Sequence, residues 1–241
     1  PGYGHYEVGA VVRFFRSRIY PGQTSNAAAA AMPGNNVTVA GGGYFANARF
    51  DVVKNKINLG VHIMGGDGVN RYGSSQLADV TVHPDGSLEP LRGLQGLFSI
   101  ETHPLKKLDI FGYAGAEDAQ RTYYVGTVGG VPGTIVGYAP PTINTSTCFT
   151  EQDTVAPTTG STGGVFGGAP YDPSSSCGAQ TRDIVEGTAG FTYRFFNSPA
   201  KGRLQYSMVY SYLTKNGWTG TAGAPAAHDN MIFTGFRYYI P

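Results

Sequence analysis

Eight stretches of this chain alternate apolar with polar residues, and the connections between them alternate as well, long then short, from one end to the other. The stretches run over 5–20, 37–53, 57–67, 92–103, 108–125, 183–196, 202–216 and 229–240. Three connections are tight: Lys54-Asn55-Lys56, Pro104-Leu105-Lys106-Lys107 and Asn197-Ser198-Pro199-Ala200-Lys201. The other four are long. Short links join antiparallel neighbours, so the pattern predicts an all-β, antiparallel up-and-down β-barrel with brief turns at one rim, long loops at the other and both chain ends on the turn side.

The faces of the stretches carry the next constraint, because successive side chains on a strand point to opposite sides. In the second stretch Tyr44, Ala46, Ala48, Phe50 and Val52 oppose Asn47, Arg49 and Asp51. In the third, Ile57, Leu59, Val61 and Ile63 oppose Asn58, Gly60 and His62. Leu94, Gly96, Phe98 and Ile100 oppose Gln95, Ser99, Glu101 and His103, and Leu108, Ile110, Gly112, Ala114 and Ala116 oppose Asp109, Phe111, Tyr113 and Glu117. Val185, Ala189, Phe191, Tyr193 and Phe195 oppose Glu186, Thr188 and Arg194. The last two stretches set Tyr206, Met208, Tyr210 and Tyr212 against Arg203, Gln205 and Ser207, and Ile232, Phe236, Tyr238 and Ile240 against Gly235 and Arg237. The first stretch sets Val8, Ala10, Val12 and Phe14 against Glu7 and Arg13, but Arg16 and Arg18 then fall on the apolar parity.

Periodicity alone leaves open which face points outward. A sandwich would share its apolar faces inside, whereas a membrane barrel turns them to lipid. Three features favour lipid, one being that the polar face carries charges of both signs. The apolar face is rich in Ala and Gly as well as aromatics, unlike a face that must interlock in a dense core. Aromatic residues also gather near stretch ends, at Tyr20, Tyr123, Tyr124, Phe195, Tyr212, Trp218, Tyr238 and Tyr239, as interfacial girdles do. Arg16 and Arg18 are then expected beyond the hydrocarbon, since arginine facing lipid at mid-depth costs about 2–4 kcal/mol. The expected lumen-facing residues are Arg13, Arg49, Asp51, Glu101, Asp109, Glu117, Glu186, Arg194, Arg203 and Arg237.

Composition agrees with a β protein. Gly occurs 36 times, Tyr 16 and Phe 13, against one Trp and four Met. No apolar run is long enough for a transmembrane helix, and a barrel strand needs only about 9–11 residues. A formal charge of +1 gives no reason to expect nucleic acid as a partner. The 241 residues read as a single domain, 1–241, with a long Gly-, Pro-, Ser- and Thr-rich loop at 126–181 and shorter loops at 22–36 and 68–91. The long loop holds both cysteines, Cys148 and Cys177, which an oxidising compartment would let join; two unpaired thiols are the alternative.

Chemistry-bearing motifs are absent or weak. There is no nucleophile elbow, no phosphate-binding Walker sequence and no Cys/His spacing for zinc, so neither enzymatic activity, a metal nor a cofactor is expected. Gly65-Gly66-Asp67-Gly68 reads as a strand-end turn, His83-Pro84-Asp85-Gly86 as a tight turn, and His103 with Glu101 as a hydrogen-bonded pair at the rim. Asn36-Val37-Thr38 and Asn144-Thr145-Ser146 match the glycosylation tripeptide, a pattern common by chance.

Whole stretches carry a family likeness. YEVGAVVRFFRSRIYP, INLGVHIMGGDGVNRYG, KKLDIFGYAGAEDAQRTYY and NMIFTGFRYYIP, spread over nearly the whole chain, resemble predicted outer-membrane porin-like proteins of acidobacterial genomes. The resemblance implies that these stretches form the C-terminal part of a longer barrel, with Pro1 a truncation point, and supplies no catalytic or ligand residue. The expected function is a porin-like segment in the bacterial outer membrane for passive diffusion of small polar solutes, touching outer-membrane lipid, with a homo-oligomer left open. The competing reading is a closed eight-stranded barrel acting as an anchor or a surface-interaction module.

Overall fold

The computed structural model describes residues 4–20, 33–148 and 177–241, together with a short backbone pairing at 165–166 and 169–170. Eight long strands form one antiparallel sheet: β1 (Gly4–Ile19), β2 (Asn35–Val53), β3 (Ile57–Asp67), β4 (Arg92–Leu105), β5 (Leu108–Ala119), β6 (Thr181–Ser198), β7 (Gly202–Gly217) and β8 (Ala226–Tyr239). Each strand pairs with the next in sequence, so the sheet is a continuous up-and-down meander. Among the described residues the only helical pieces are 3₁₀ turns at Asn70–Tyr72 and Ser146–Cys148. The tight links fall where the sequence predicts them, and Lys56 N–H closes the first by donating to Val53 O at 2.9 Å.

The sheet does not close. β1 pairs with β2 and β8 with β7, while the outer edges of β1 and β8 carry no ladder to one another. Eight strands suffice for a closed barrel, so closure is not dictated by strand number. Register irregularities interrupt the ladders at Asp51/Val53, Thr102/Leu105 and Arg194/Phe196 beside the short turns, and at Thr181/Asp183 on the long-loop side. Bulges at rims bend and twist a strand where the ladder is ending anyway.

The apolar parity is the exposed one. Tyr6 is 81% exposed, Val8 75%, Phe14 73% and Phe236 72%, and Val61, Phe98, Val185 and Tyr210 are exposed on the same face of the interior strands. No second sheet covers them among the described residues; the remaining ladders are small hairpins at Val80–Val82 with Leu88–Pro90 and at Thr122–Val128 with Val131–Tyr138. The arrangement is therefore not that of a sandwich, whose apolar faces meet in a shared interior. Among the described residues, a buried apolar cluster lies beneath the long loops, where Leu77, Leu91, Ala119, Tyr138 and Ala139 pack with Ile184 and Trp218.

That cluster explains where the sequence reading overran. The stretch 108–125 is not one strand: β5 ends at Ala119, which is fully buried, and Gln120 N–H donates to Arg92 O. Trp218 Nε1–H donates to Ala119 O at 3.0 Å, and the Arg121 guanidinium lies 4.8 Å from the Trp218 ring. Thr122–Val128 then pairs with Val131–Tyr138 rather than with the sheet. Alternation continues through the break, so a period-two signal cannot register the change of partner. The start of the supposed loop at 126 thus belongs to a hairpin. Tyr123 and Tyr124 leave the wall, and Trp218 serves the loop cluster, so these three are not girdle residues on the sheet's apolar face. Of the loop 22–36, residues 22–32 lie outside the described residues, and β2 begins at Asn35.

Gly202 shows how tightly the third turn is specified. It has φ +72°, and a side-chain carbon there would sit 2.1 Å from Tyr239 O on the neighbouring strand. Gly202→Val is expected to cost about 2–4 kcal/mol, since a β-branched residue is strained in the left-handed region and also meets backbone. Urea titration in detergent micelles checks this, with Ala200→Ser in the same turn expected to stay near wild type; equal midpoints would refute the account.

Candidate functional site

The polar parity forms the other face of the sheet, and the ten candidate lumen residues all lie on it. Strand alternation puts them there, while antiparallel pairing sets which can meet. Beside the short turns, Asp109 on β5 takes both Arg194 guanidinium nitrogens from β6, and His103 Nδ1 lies 2.8 Å from the same carboxylate. His103 therefore pairs with Asp109 rather than with Glu101. The bulge between Thr102 and Leu105 changes the local register, which simple alternation could not anticipate.

At mid-sheet Arg49 Nη2 donates to Glu101 Oε2 at 2.8 Å, reaching from β2 to β4 across β3, where its register partner Gly60 has no side chain to intervene. Tyr113 O–H donates to Glu101 Oε1 at 3.1 Å, and His62 bonds Asn47, whose amide reaches Glu7 at 3.2 Å. Asp51 has no ion pair among the described residues and lines an open recess with His5, Arg49, Asn58 and His103. Near the last turn Arg203 lies 3.8 Å from the Tyr239 ring, and Arg237 donates to the Tyr239 hydroxyl at 3.3 Å.

At the long-loop side, the segment 68–91 folds back over this face. Arg13 Nη1 meets Asp79 Oδ2 at 2.7 Å and Gly68 O at 2.7 Å, with its guanidinium 4.6 Å from the Phe15 ring. Glu117 accepts Ser74 N–H at 2.6 Å and Ser75 N–H at 3.1 Å. The His83-Pro84-Asp85-Gly86 turn forms with Gly86 at φ +86°, and the Ser87 hydroxyl and amide bound to Asp85 hold that carboxyl below its ordinary range. Burial pushes the Tyr138 hydroxyl up to about 12, so it stays a donor to Thr181 O at 2.6 Å. Gly65, Gly66 and Asp67 are the last paired residues of β3 rather than part of a turn, and the chain turns away only at Gly68, with φ +74°.

Beneath the loop lies a recess of about 350 Å³, bordered by Tyr72 to Ser75 and by side chains of β3 to β7. It brings Glu117 and Glu186 to one cavity without an arginine, although sequence parity grouped them with five. Nothing in the sequence sets Gln95 or Asp79 apart. Gln95 showed only as one polar residue among several on its face; Asp79 offered no signal, because its partner Arg13 is 66 residues away. No group of three or more His, Cys, Asp or Glu that could hold a metal occurs among the described residues.

Cys148 and Cys177 are joined, tying the end of the Ser146–Cys148 turn to the segment that enters β6. Just before it, Asn144 Oδ1 accepts from both Ser146 N–H and Oγ–H, and fully buried Thr145 bonds Gly223 O and Ala222 N–H. Asn36, of the other glycosylation tripeptide, lies within β2 opposite Arg18. The chain matches no family model, and no curated protein or solved structure is detectably similar to it.

Proposed function

We propose that this sheet is part of the wall of a porin-like channel in the bacterial outer membrane, with its apolar face toward lipid and its charged face toward an aqueous path for small polar solutes. The observation that carries this is the exposed apolar belt and where it stops. On β1 the belt runs from Tyr6 to Phe14, about 26 Å along the strand at roughly 3.3 Å per residue. On β2 it runs from Ala40 to Val52, about 40 Å. With the strand tilt of about 40° usual in such walls, these lengths correspond to a belt roughly 20–30 Å tall, against about 25 Å for an outer-membrane barrel.

Charges on that face begin only where the belt ends, on the long-loop side. They are Arg16 and Arg18 on β1, the Asp67–Arg92 pair at 3.1 Å, Asp118, which accepts Leu94 N–H, and Asp183, held by Arg182 and Asn216. A water-exposed sheet has no reason to confine its charges to one border. A hydrocarbon layer does, since a charge within it costs several kcal/mol and one at its edge costs little.

The unpaired edges of β1 and β8 bear on the size of the wall. Backbone N–H and C=O groups left open in lipid are costly, so each edge requires a neighbouring strand. An eight-stranded anchor would supply one by pairing β1 with β8, which are not hydrogen-bonded here. The open edges therefore favour a larger channel to which this chain contributes eight strands, in line with the porin-like resemblance. The deciding measurement is single-channel recording of the full-length protein in planar bilayers. Stepwise ohmic conductance is expected; repeated insertion without conductance would overturn the channel reading.

A further inference from the structure

We infer that the recess under residues 72–75 binds small organic cations, specifically primary amines with a short aliphatic body. Two carboxylates line it, Glu117 and Glu186, and no Lys or Arg does. Glu117 is held in place by the Ser74 and Ser75 amides, and among the described residues Glu186 accepts only the Thr188 hydroxyl, at 3.0 Å. Those partners are neutral, and His62, the one basic side chain on the lining, is turned to Asn47 rather than to either carboxylate.

A second, separate observation points to a ligand. Gln95 is 93% buried, lines the same recess, and neither atom of its amide has a hydrogen-bond partner. Buried amides are nearly always paired, and leaving one unpaired costs on the order of 1–3 kcal/mol. A side-chain carbon on Gly73 would sit 2.4 Å from Gln95 Oε1 and 2.3 Å from Glu117 Oε2, so only a glycine lets both acceptors lie together against the loop backbone at this end of the recess. A primary ammonium has three N–H donors and no acceptor. Gln95, Glu117 and Glu186 supply acceptors for it, while Leu97, Ile184 and Leu213 supply apolar surface for a short alkyl chain. An anion would face both carboxylates, and a wholly apolar guest would leave both Gln95 amide atoms unpaired, whereas an ammonium pairs Oε1.

This inference rests on the proposal that the charged face is open to water, and its test is separate from the conductance test. The full chain in detergent micelles is titrated calorimetrically with n-butylammonium chloride, with 1-butanol, sodium butyrate and NaCl as comparisons. Saturable binding of butylammonium is expected, at least tenfold tighter than butanol, with none for butyrate. Glu186→Gln is expected to weaken it about tenfold, the typical worth of one charge-assisted hydrogen bond. Equal affinity for butanol, or no saturable butylammonium signal with the wild-type chain, would overturn the inference whatever the variant does. Binding without conductance would remove the channel alone, and conductance without binding would remove this site alone.

Discussion

Replacing Val61 with arginine is expected to destabilise the protein in lipid vesicles by about 2–4 kcal/mol, the cost of an arginine facing lipid near the bilayer midplane. Val61 is central on β3, between Ala48 and Phe98, and its side chain is 48% exposed on the apolar face. The same position on a water-exposed sheet would accept arginine at little cost, because surface substitutions away from special features stay within about 0.5 kcal/mol. The two settings thus predict different magnitudes for one substitution. Asn58→Arg is the internal comparison: it lies three residues away on the charged face, between Asp51 and Glu101, where an added cation meets two carboxylates. It is expected to change stability by less than about 1 kcal/mol. Trp218, the single tryptophan, reports unfolding from the loop cluster in a urea titration. If Val61→Arg were no more costly than Asn58→Arg in vesicles, the apolar face would not meet lipid.

The disulfide gives the second large effect. Cys148 and Cys177 are 29 residues apart in sequence, and cross-linking a segment of that length restricts the unfolded chain by about 3–4 kcal/mol on the chain-entropy account. The Cys148→Ser, Cys177→Ser double variant is expected to lose that amount locally, at the long-loop rim, and to leave the sheet itself little changed. The rim residues that respond are those tied to the turn before Cys148. Cys148 N–H donates to Thr145 O at 3.0 Å and Ala222 N–H to Thr145 Oγ1 at 3.1 Å. Hydrogen exchange at these two amides is expected to quicken on the order of a hundredfold or more, as local opening becomes easier. Exchange in the β2 and β3 ladders is expected to keep its rate. Unchanged exchange at Cys148 and Ala222 would mean that the cross-link does not hold the rim.

Much of the fold is legible in the chain because strand signals are local. The i, i+2 rhythm of Ile57, Leu59, Val61 and Ile63 marks β3, and the short polar links mark its partners. The same rhythm placed every candidate charge, from Arg13 to Arg237, on one face. Which charges meet is another matter. Arg49 reaches Glu101 only because β2, β3 and β4 lie in sequence order with Gly60 between them, and Arg13 finds Asp79 only because a loop folds back across the sheet. Gln95 resembles any polar strand residue until residues 72–75 cover it.

The sequence by itself determined the strands, the division of each into an apolar and a polar face, and the antiparallel pairing across the three short turns, since these follow from periodicity and from links too short for any other connection. The pairing across the four long connections was decided by the tertiary structure. Tertiary structure decided which face is exposed, because an alternating pattern reads the same whether turned in or out. It also decided that β5 ends at Ala119 and that β1 and β8 do not pair with each other. Those outcomes depend on Trp218, Tyr138 and the register of whole strands, groups that meet only once residues scores of positions apart have been brought together.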